Sequence, residues 1–212
     1  MGKFITFEGI EGCGKSTQVK KIRDAFALRE IPYIATEEPG GSGIGKKIRS
    51  MLLNKAPAEI APEAELLLFM ADRAQHVREV ILPALNRNQI VVCDRFADAT
   101  IAYQGFGRGL DTAMIEAMNR FACGGLKPDL TFLLDISVEA GLRRANERNA
   151  GKEASQREDR FESEALDFHD RVREGYLFLA GREPLRFRII NASKSIDAIQ
   201  AEIWAEIEKI SG

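Results

Sequence analysis

Cysteine, histidine and tryptophan are scarce in this chain: 212 residues carry three cysteines (Cys13, Cys93, Cys123), two histidines (His76, His169) and one tryptophan. The cysteines stand far apart, with no CxxC pair and no metal-like spacing, so they read as free thiols in a reducing compartment. Cys13 reads as a small loop-filling residue. Neither histidine sits in a motif; both are expected at the surface or in helix packing, which leaves catalysis to other groups. Charge of one sign is missing too: 30 basic residues against 32 acidic ones give a net charge of -2, so nothing suggests a protein that coats nucleic acid. No apolar run reaches membrane-spanning length, and MGKFITFEG at the start has no apolar region of signal-peptide length. The chain is therefore expected to be cytoplasmic, with no membrane partner.

What is present is an ordinary globular composition, 45% hydrophobic and 29% charged, enough for one substantial core and one domain over residues 1–212. Short apolar runs alternate with longer helix-patterned segments. Lys3–Glu8, Tyr33–Glu37, Gln89–Asp94, Asp129–Asp135 and Arg186–Asn191 read as strands. Residues 16–29, 63–86, 112–123, 138–147, 163–180 and 195–210 have helical spacing, the last with Ile196, Ile199, Ile203, Ile207 and Ile210 on one stripe. That alternation predicts an α/β fold, a five-stranded parallel sheet with helices on both faces. Ligands of such sheets bind beyond the carboxyl ends of the strands, where the loops after the first three strands open together. The charged, apolar-poor stretch 146–160 fits a mobile lid.

Gly9-Ile10-Glu11-Gly12-Cys13-Gly14-Lys15-Ser16 is a complete G-x-x-x-x-G-K-[ST] pattern between a strand and a helix, with Thr17 following. Its glycines let backbone N–H groups curl around phosphate oxygens, and the helix N-terminus adds its dipole. Lys15 is expected to reach the β- and γ-phosphates of ATP and Ser16 to ligate Mg²⁺. The class of P-loop protein follows by comparison. A GTPase would need Asn-Lys-x-Asp, and Asn54-Lys55 runs on into Ala-Pro. A motor ATPase would need further domains. A small-molecule kinase needs an acceptor pocket and a means of excluding water, which the arginine-rich stretch near 148 supplies.

On the acceptor side, Phe69 and Arg73 lie at i and i+4, hence on one helix face. A ring followed one turn later by a guanidinium can stack a flat base and bond its carbonyl; the same spacing also suits a core ring beside a solvent-facing arginine. Asp94-Arg95 follows a buried strand and offers a carboxylate to Mg²⁺ and a guanidinium to an acceptor phosphate, or equally forms a surface ion pair.

The P-loop, EPGG (Glu38–Gly41), LLLFMADR (Leu66–Arg73), DRF (Asp94–Phe96), AYQGFGRG (Ala102–Gly109) and DRFE (residues 159–162), in this order and across nearly the whole chain, resemble the thymidylate kinase family of the bacterial kind, with the P-loop nucleoside monophosphate kinase fold. The resemblance implies transfer of the γ-phosphoryl group of ATP to dTMP, giving dTDP on the route to dTTP, in a Mg²⁺-dependent homodimer. It assigns Phe69 to stacking on thymine, Arg73 to its 4-carbonyl, Thr100 to its imide and Tyr103 to crowding the sugar's 2′ side. Arg95, with Arg49, would hold the acceptor phosphate. Glu11 would orient the sugar's 3′-hydroxyl, a role set against that of a plain turn residue. Because the P-loop has no arginine, the lid would supply the cation, with Arg148 chosen and Arg143, Arg144, Arg157 and Arg160 as neighbours. Other readings are a kinase of another nucleoside monophosphate, or a nucleotide-binding regulator. One departure stands out: the family's usual Thr-Arg-Glu-Pro-Gly-Gly has Glu37 in place of the arginine, which puts in doubt any cationic contact there and leaves two outcomes open, a slightly altered acceptor affinity or compensation by Lys46 or Lys47.

Overall fold

The computed structural model describes residues 2–53, 60–150 and 160–211. Five parallel strands, β1 (Phe4–Glu8), β2 (Tyr33–Glu37), β3 (Ile90–Asp94), β4 (Leu130–Asp135) and β5 (Phe187–Asn191), form one sheet in the order β2-β3-β1-β4-β5. β1 is central and buried at all five positions, Thr6 and Glu8 included, as expected of the middle strand of a sheet covered on both faces. Alternation divides the core. Phe4, Val91 and Cys93 face a cluster that includes Val77, Ile81 and Leu85. Ile5, Phe7, Val92 and Phe132 face a larger one with Ile22, Phe26 and Ile203.

The helices are α1 (Lys15–Leu28), α2 (Gly43–Leu53), α3 (Pro62–His76), α4 (Leu82–Asn86), α5 (Ala97–Thr100), α6 (Thr112–Cys123), α7 (Val138–Ala150), α8 (Leu166–Arg182) and α9 (Ile196–Ser211). The sequence-predicted strands agree to within one residue at each end. The expected helix over 63–86 is α3 and α4 joined by a π-helical turn, Val77–Ile81. Pro83 lacks an N–H and would crowd the carbonyl four residues back, and a widened turn accommodates it.

Two helical segments lie where sequence reading places loops. α2 begins with the helix-poor run Gly43-Ile44-Gly45, and α5 passes into a second π-helical segment, Ile101–Gly107, whose glycines hide the pattern. Those glycines serve packing: a Cβ on Gly107 would meet the Phe168 ring at 2.6 Å, and one on Gly175 of α8 would meet Phe106 at 2.8 Å. α8 thus lies directly against the segment that carries Tyr103. The α9 stripe is buried at Ile199, Ile203 and Ile207, while Ile196 is exposed. The segment expected as a lid lies in part outside the described residues, and Arg157 with it.

Candidate active site

Gly9, Gly12 and Gly14 of the phosphate loop all have positive φ, which glycine adopts without steric cost. At Gly12 the space is closed as well, since a Cβ would lie 1.9 Å from the Gly141 carbonyl of α7. The loop is therefore pressed onto the helix that carries Arg148. Gly14 gives α1 no side-chain cap, so the first-turn N–H groups have no capping partner. Lys15 is folded onto its own loop, its Nζ donating to the carbonyls of Gly9 (2.9 Å) and Ile10 (3.0 Å) and approaching Cys13 Sγ at 3.4 Å. Ser16 Oγ donates to Asp94 Oδ2 at 3.0 Å. A hydroxyl and a carboxylate side by side at the phosphate loop are the hard-oxygen donors that suit Mg²⁺, which keeps water and phosphate as its remaining ligands. Among the described residues no group of three or more His, Cys, Asp or Glu side chains is placed to hold a metal by itself.

β3 ends at Asp94, and Arg95 follows in the left-handed region at φ 68°, an uncommon conformation for a residue with a side chain. Its N–H is held by the Phe7 carbonyl at 2.9 Å. Its guanidinium donates to Tyr176 Oη (3.0 Å), Tyr103 Oη (2.9 Å) and Glu11 Oε1 (3.0 Å), and it lies over the Tyr103 ring. Tyr103 Oη donates to the same Glu11 oxygen at 2.5 Å. Below them Tyr176 Oη and the Phe96 N–H both donate to Glu8. Burial, with the charge of Asp98, pushes Glu8 up to about 8, although Arg95 and the two donors pull the other way. Glu11 goes in the opposite direction. Burial alone would raise it, but the contact from His169 and the charges of Arg95 and Lys15 hold it down at about 2.

Both histidines are fully buried, which corrects the surface alternative for them. Each faces a carboxylate of the site. His76 joins Glu38 Oε1 to Thr36, and His169 Nδ1 lies 3.4 Å from Glu11 Oε2. Arg73 is buried as well: its guanidinium donates to Glu38 (2.7 Å), Asn119 (2.6 Å) and the Phe96 carbonyl (3.1 Å), and it does not line the cavity. Asp72 accepts from the Gly40 N–H, and burial together with the Glu38 charge pushes it up to about 6. Asp72, Arg73 and His76 of α3 thus hold the Glu38–Gly41 turn from beneath. Glu37 meets Arg49, which contacts it at 3.0 Å and also donates to the Pro39 carbonyl at 2.7 Å.

These groups surround one cavity of about 320 Å³ at the carboxyl edge of the sheet. Glu11, Lys15, Ser16, Asp94, Arg95 and Arg49 line it with charged and polar groups, and Phe69, Thr100, Tyr103, Gln104 and Phe161 line it as well. Thr100 Oγ1 is buried without a hydrogen-bond partner. Phe69 and Phe161 face each other with ring centres 6.4 Å apart. Arg148 lines the cavity and pairs with Glu162 at 2.5 Å. Arg144 is turned away to the Ala192 carbonyl, Arg143 is exposed, and Arg160 is bound to the Leu52 carbonyl and to Glu65.

Sequence reading missed Glu8, Glu38, Gln104, Phe161, His169 and Tyr176. Glu38, Gln104 and Phe161 stand inside quoted motifs and could have been weighed there. The others become neighbours of the site only through contacts distant in sequence. The Glu11 environment has a pH consequence. A carboxylate whose folded-state pKa is depressed from 4.5 to about 2 stabilises the fold above pH 4.5, and that contribution is lost as pH falls from 4.5 toward 2. In urea unfolding between pH 6 and 3, the stability deficit of Glu11→Gln relative to the parent should shrink as pH falls; a constant gap would contradict the depressed pKa.

The comparisons agree with this geometry. A family model described as thymidylate kinase matches residues 7–203. The thymidylate kinase of Syntrophus aciditrophicus is 55% identical over 98% of this chain and 95% of its own length. That of Geotalea daltonii is 51% identical over 100% of both chains. A crystal structure of thymidylate kinase from Ehrlichia chaffeensis, 30% identical, superposes with a TM-score of 0.73 over 97% of this chain and 98% of that one. Built on the same sheet and matched over nearly its full length, this chain belongs to the thymidylate kinase family.

Proposed function

We propose that this protein transfers the γ-phosphoryl group of ATP to dTMP, releasing dTDP and ADP, as one kinase domain with a lid near residues 146–160. The observation that carries the reading is that one cavity is lined both by phosphate-loop residues with Arg95 and Arg49 and by Phe69 and the unpartnered Thr100 hydroxyl. A donor triphosphate and a flat-based monophosphate fit such a site head to head.

The acceptor phosphate is already an anion near neutral pH, so no strong base is required. Rate enhancement comes from alignment and from cations placed where the equatorial oxygens gather charge. Lys15 exchanges its loop carbonyls for phosphate oxygens. The backbone of Gly9–Thr17 holds the donor, while Arg95 and Arg49 align the acceptor phosphate. Glu11, fixed by Arg95 and Tyr103, takes the sugar 3′-hydroxyl, and a carboxylate is a stronger acceptor for it than a neutral oxygen. Phe69 stacks the base and Thr100 bonds its imide. Arg73, which the resemblance assigns to the base 4-carbonyl, is buried behind the cavity wall on Glu38, Asn119 and the Phe96 carbonyl, so it supports the site from beneath and would have to be uncovered to touch the base. Ser16 and Asp94 hold Mg²⁺, which when bound neutralises charge on the phosphates.

ADP formation from MgATP, measured with dTMP, dUMP, dCMP, dGMP and dAMP at equal concentration, tests the acceptor. Strong preference for dTMP is expected. A purine preferred over dTMP would favour another monophosphate kinase, and no turnover with any acceptor would favour a regulator. In the same assay Phe69→Ala should raise the KM for dTMP, stacking being worth very roughly 1–3 kcal/mol by analogy with base–aromatic pairs; an unchanged KM removes Phe69 from the base site.

Arg148→Ala should lower kcat far more than it weakens ATP binding, because the contact strengthens as charge moves in the transition state. A loss of dTMP affinity alone would remove Arg148 from that role. The protein is also proposed to be a cytoplasmic homodimer. Among the described residues no helix is long and apolar enough to cross a membrane, and Ile44, Met51, Leu67, Met114 and Phe121 are exposed on α2, α3 and α6, neighbours beside the sheet. Sedimentation at a mass near 23.6 kDa across micromolar concentrations would rule out the dimer.

A further inference from the structure

His169 is fully buried on α8, and neither of its ring nitrogens has a hydrogen-bond partner of ordinary geometry. A side chain there for packing alone would be better apolar, because a buried polar atom without a partner is costly. Its Nδ1 lies 3.4 Å from Glu11 Oε2. That oxygen is buried and unpartnered as well. The two Glu11 oxygens therefore have separate surroundings. Oε1 receives Arg95 and Tyr103. Oε2 points away into the protein and meets only the imidazole among hydrogen-bonding groups of the described residues.

A carboxylate anchored through one oxygen can still turn about its terminal torsion, which is broad and soft. Turned, it would bring a second negative oxygen toward a cavity that must accept phosphates. An N–H donor on the far oxygen removes that freedom. We propose that His169 is a positioning residue for the phosphoryl acceptor: its Nδ1–H, aimed at Glu11 Oε2, fixes the carboxylate plane so that Oε1 stays presented to the acceptor's sugar hydroxyl. The proposal rests on the acceptor-site reading of Glu11 given above. It assigns a role to a residue that touches neither nucleotide and whose 158-residue separation from Glu11 hides it in the sequence.

The readout is the ratio of kcat/KM for dTMP to kcat/KM for 3′-deoxythymidine monophosphate, which lacks the hydroxyl that Glu11 is placed to hold. The full-length chain is assayed as the parent and as His169→Phe, His169→Asn and His169→Gln. Asparagine puts an amide N–H where Nδ1 stands; glutamine places its amide at the far nitrogen. The parent should prefer dTMP. His169→Phe should reduce that preference by about fivefold, the order expected for loss of one net hydrogen bond. His169→Asn should restore it, and His169→Gln should not. The asparagine and glutamine pair decides the matter even if the phenylalanine variant fails to fold. Equal ratios for Asn and Gln overturn the proposal, as does an unchanged ratio in a folded His169→Phe. A parent that uses both acceptors equally overturns the reading of Glu11 beneath it, which is a separate and distinguishable failure.

Discussion

The site depends on an arginine and a glutamate held 3.0 Å apart at the carboxyl edge of the sheet, Arg95 and Glu11. Arg95 must be a cation to hold a phosphate, yet taking a guanidinium out of water is expensive. Glu11 offsets that cost and gains a depressed pKa in return. Removing either partner would leave the other partly buried without its counter-charge, held only by the tyrosine hydroxyls. The acid in a loop made for anions is thus no contradiction. It is the counter-ion of Arg95.

Sheet register brings the two together. Phe7 pairs with Asp94 across β1 and β3, so the strand ends release Gly9 and Arg95 side by side. The positive φ of Arg95 then folds its side chain back over the phosphate loop. Glu37 pairs with the same Asp94 from β2, which delivers a third carboxylate to this edge. Its contact with Arg49 pairs the reversed charge with a guanidinium that also lines the cavity. Lys46 and Lys47 are exposed on α2, and the pairing falls to Arg49, also on α2 but lining the cavity.

Much of this was legible in the residues. The strands could be read because each is a short, largely apolar run between helix-patterned segments, and the phosphate loop because its glycine spacing has one geometric use. Phe69 and Thr100 reach the cavity as their motifs imply. What escaped reading has a common cause. α2 and the π-helical segment at Ile101–Gly107 owe their form to packing partners distant in sequence, and their glycines mask any period. Tyr176, Glu8 and His169 look like ordinary helix or strand residues until α8 is laid against Tyr103. Arg73 shows the converse limit. Spacing places it on the face of Phe69, but only the fold reveals Glu38, Asn119 and the Phe96 carbonyl as its partners.

A second buried carboxylate ties the lid region to the base pocket. Glu65, fully buried in the first turn of α3, accepts from Gln104, Arg108 and Arg160. It stands one helical turn before Phe69, on the same face. The residue after Arg160 is Phe161, whose ring faces Phe69 across the cavity. The next, Glu162, accepts from Arg148 and Asn149 of α7. The chain leaving α7 and the chain returning at 160–162 are therefore pinned to each other, and through Arg160 to the helix that carries the stacking ring. Phe161 thus stands between two pinned neighbours, Arg160 held on Glu65 and Glu162 held on Arg148.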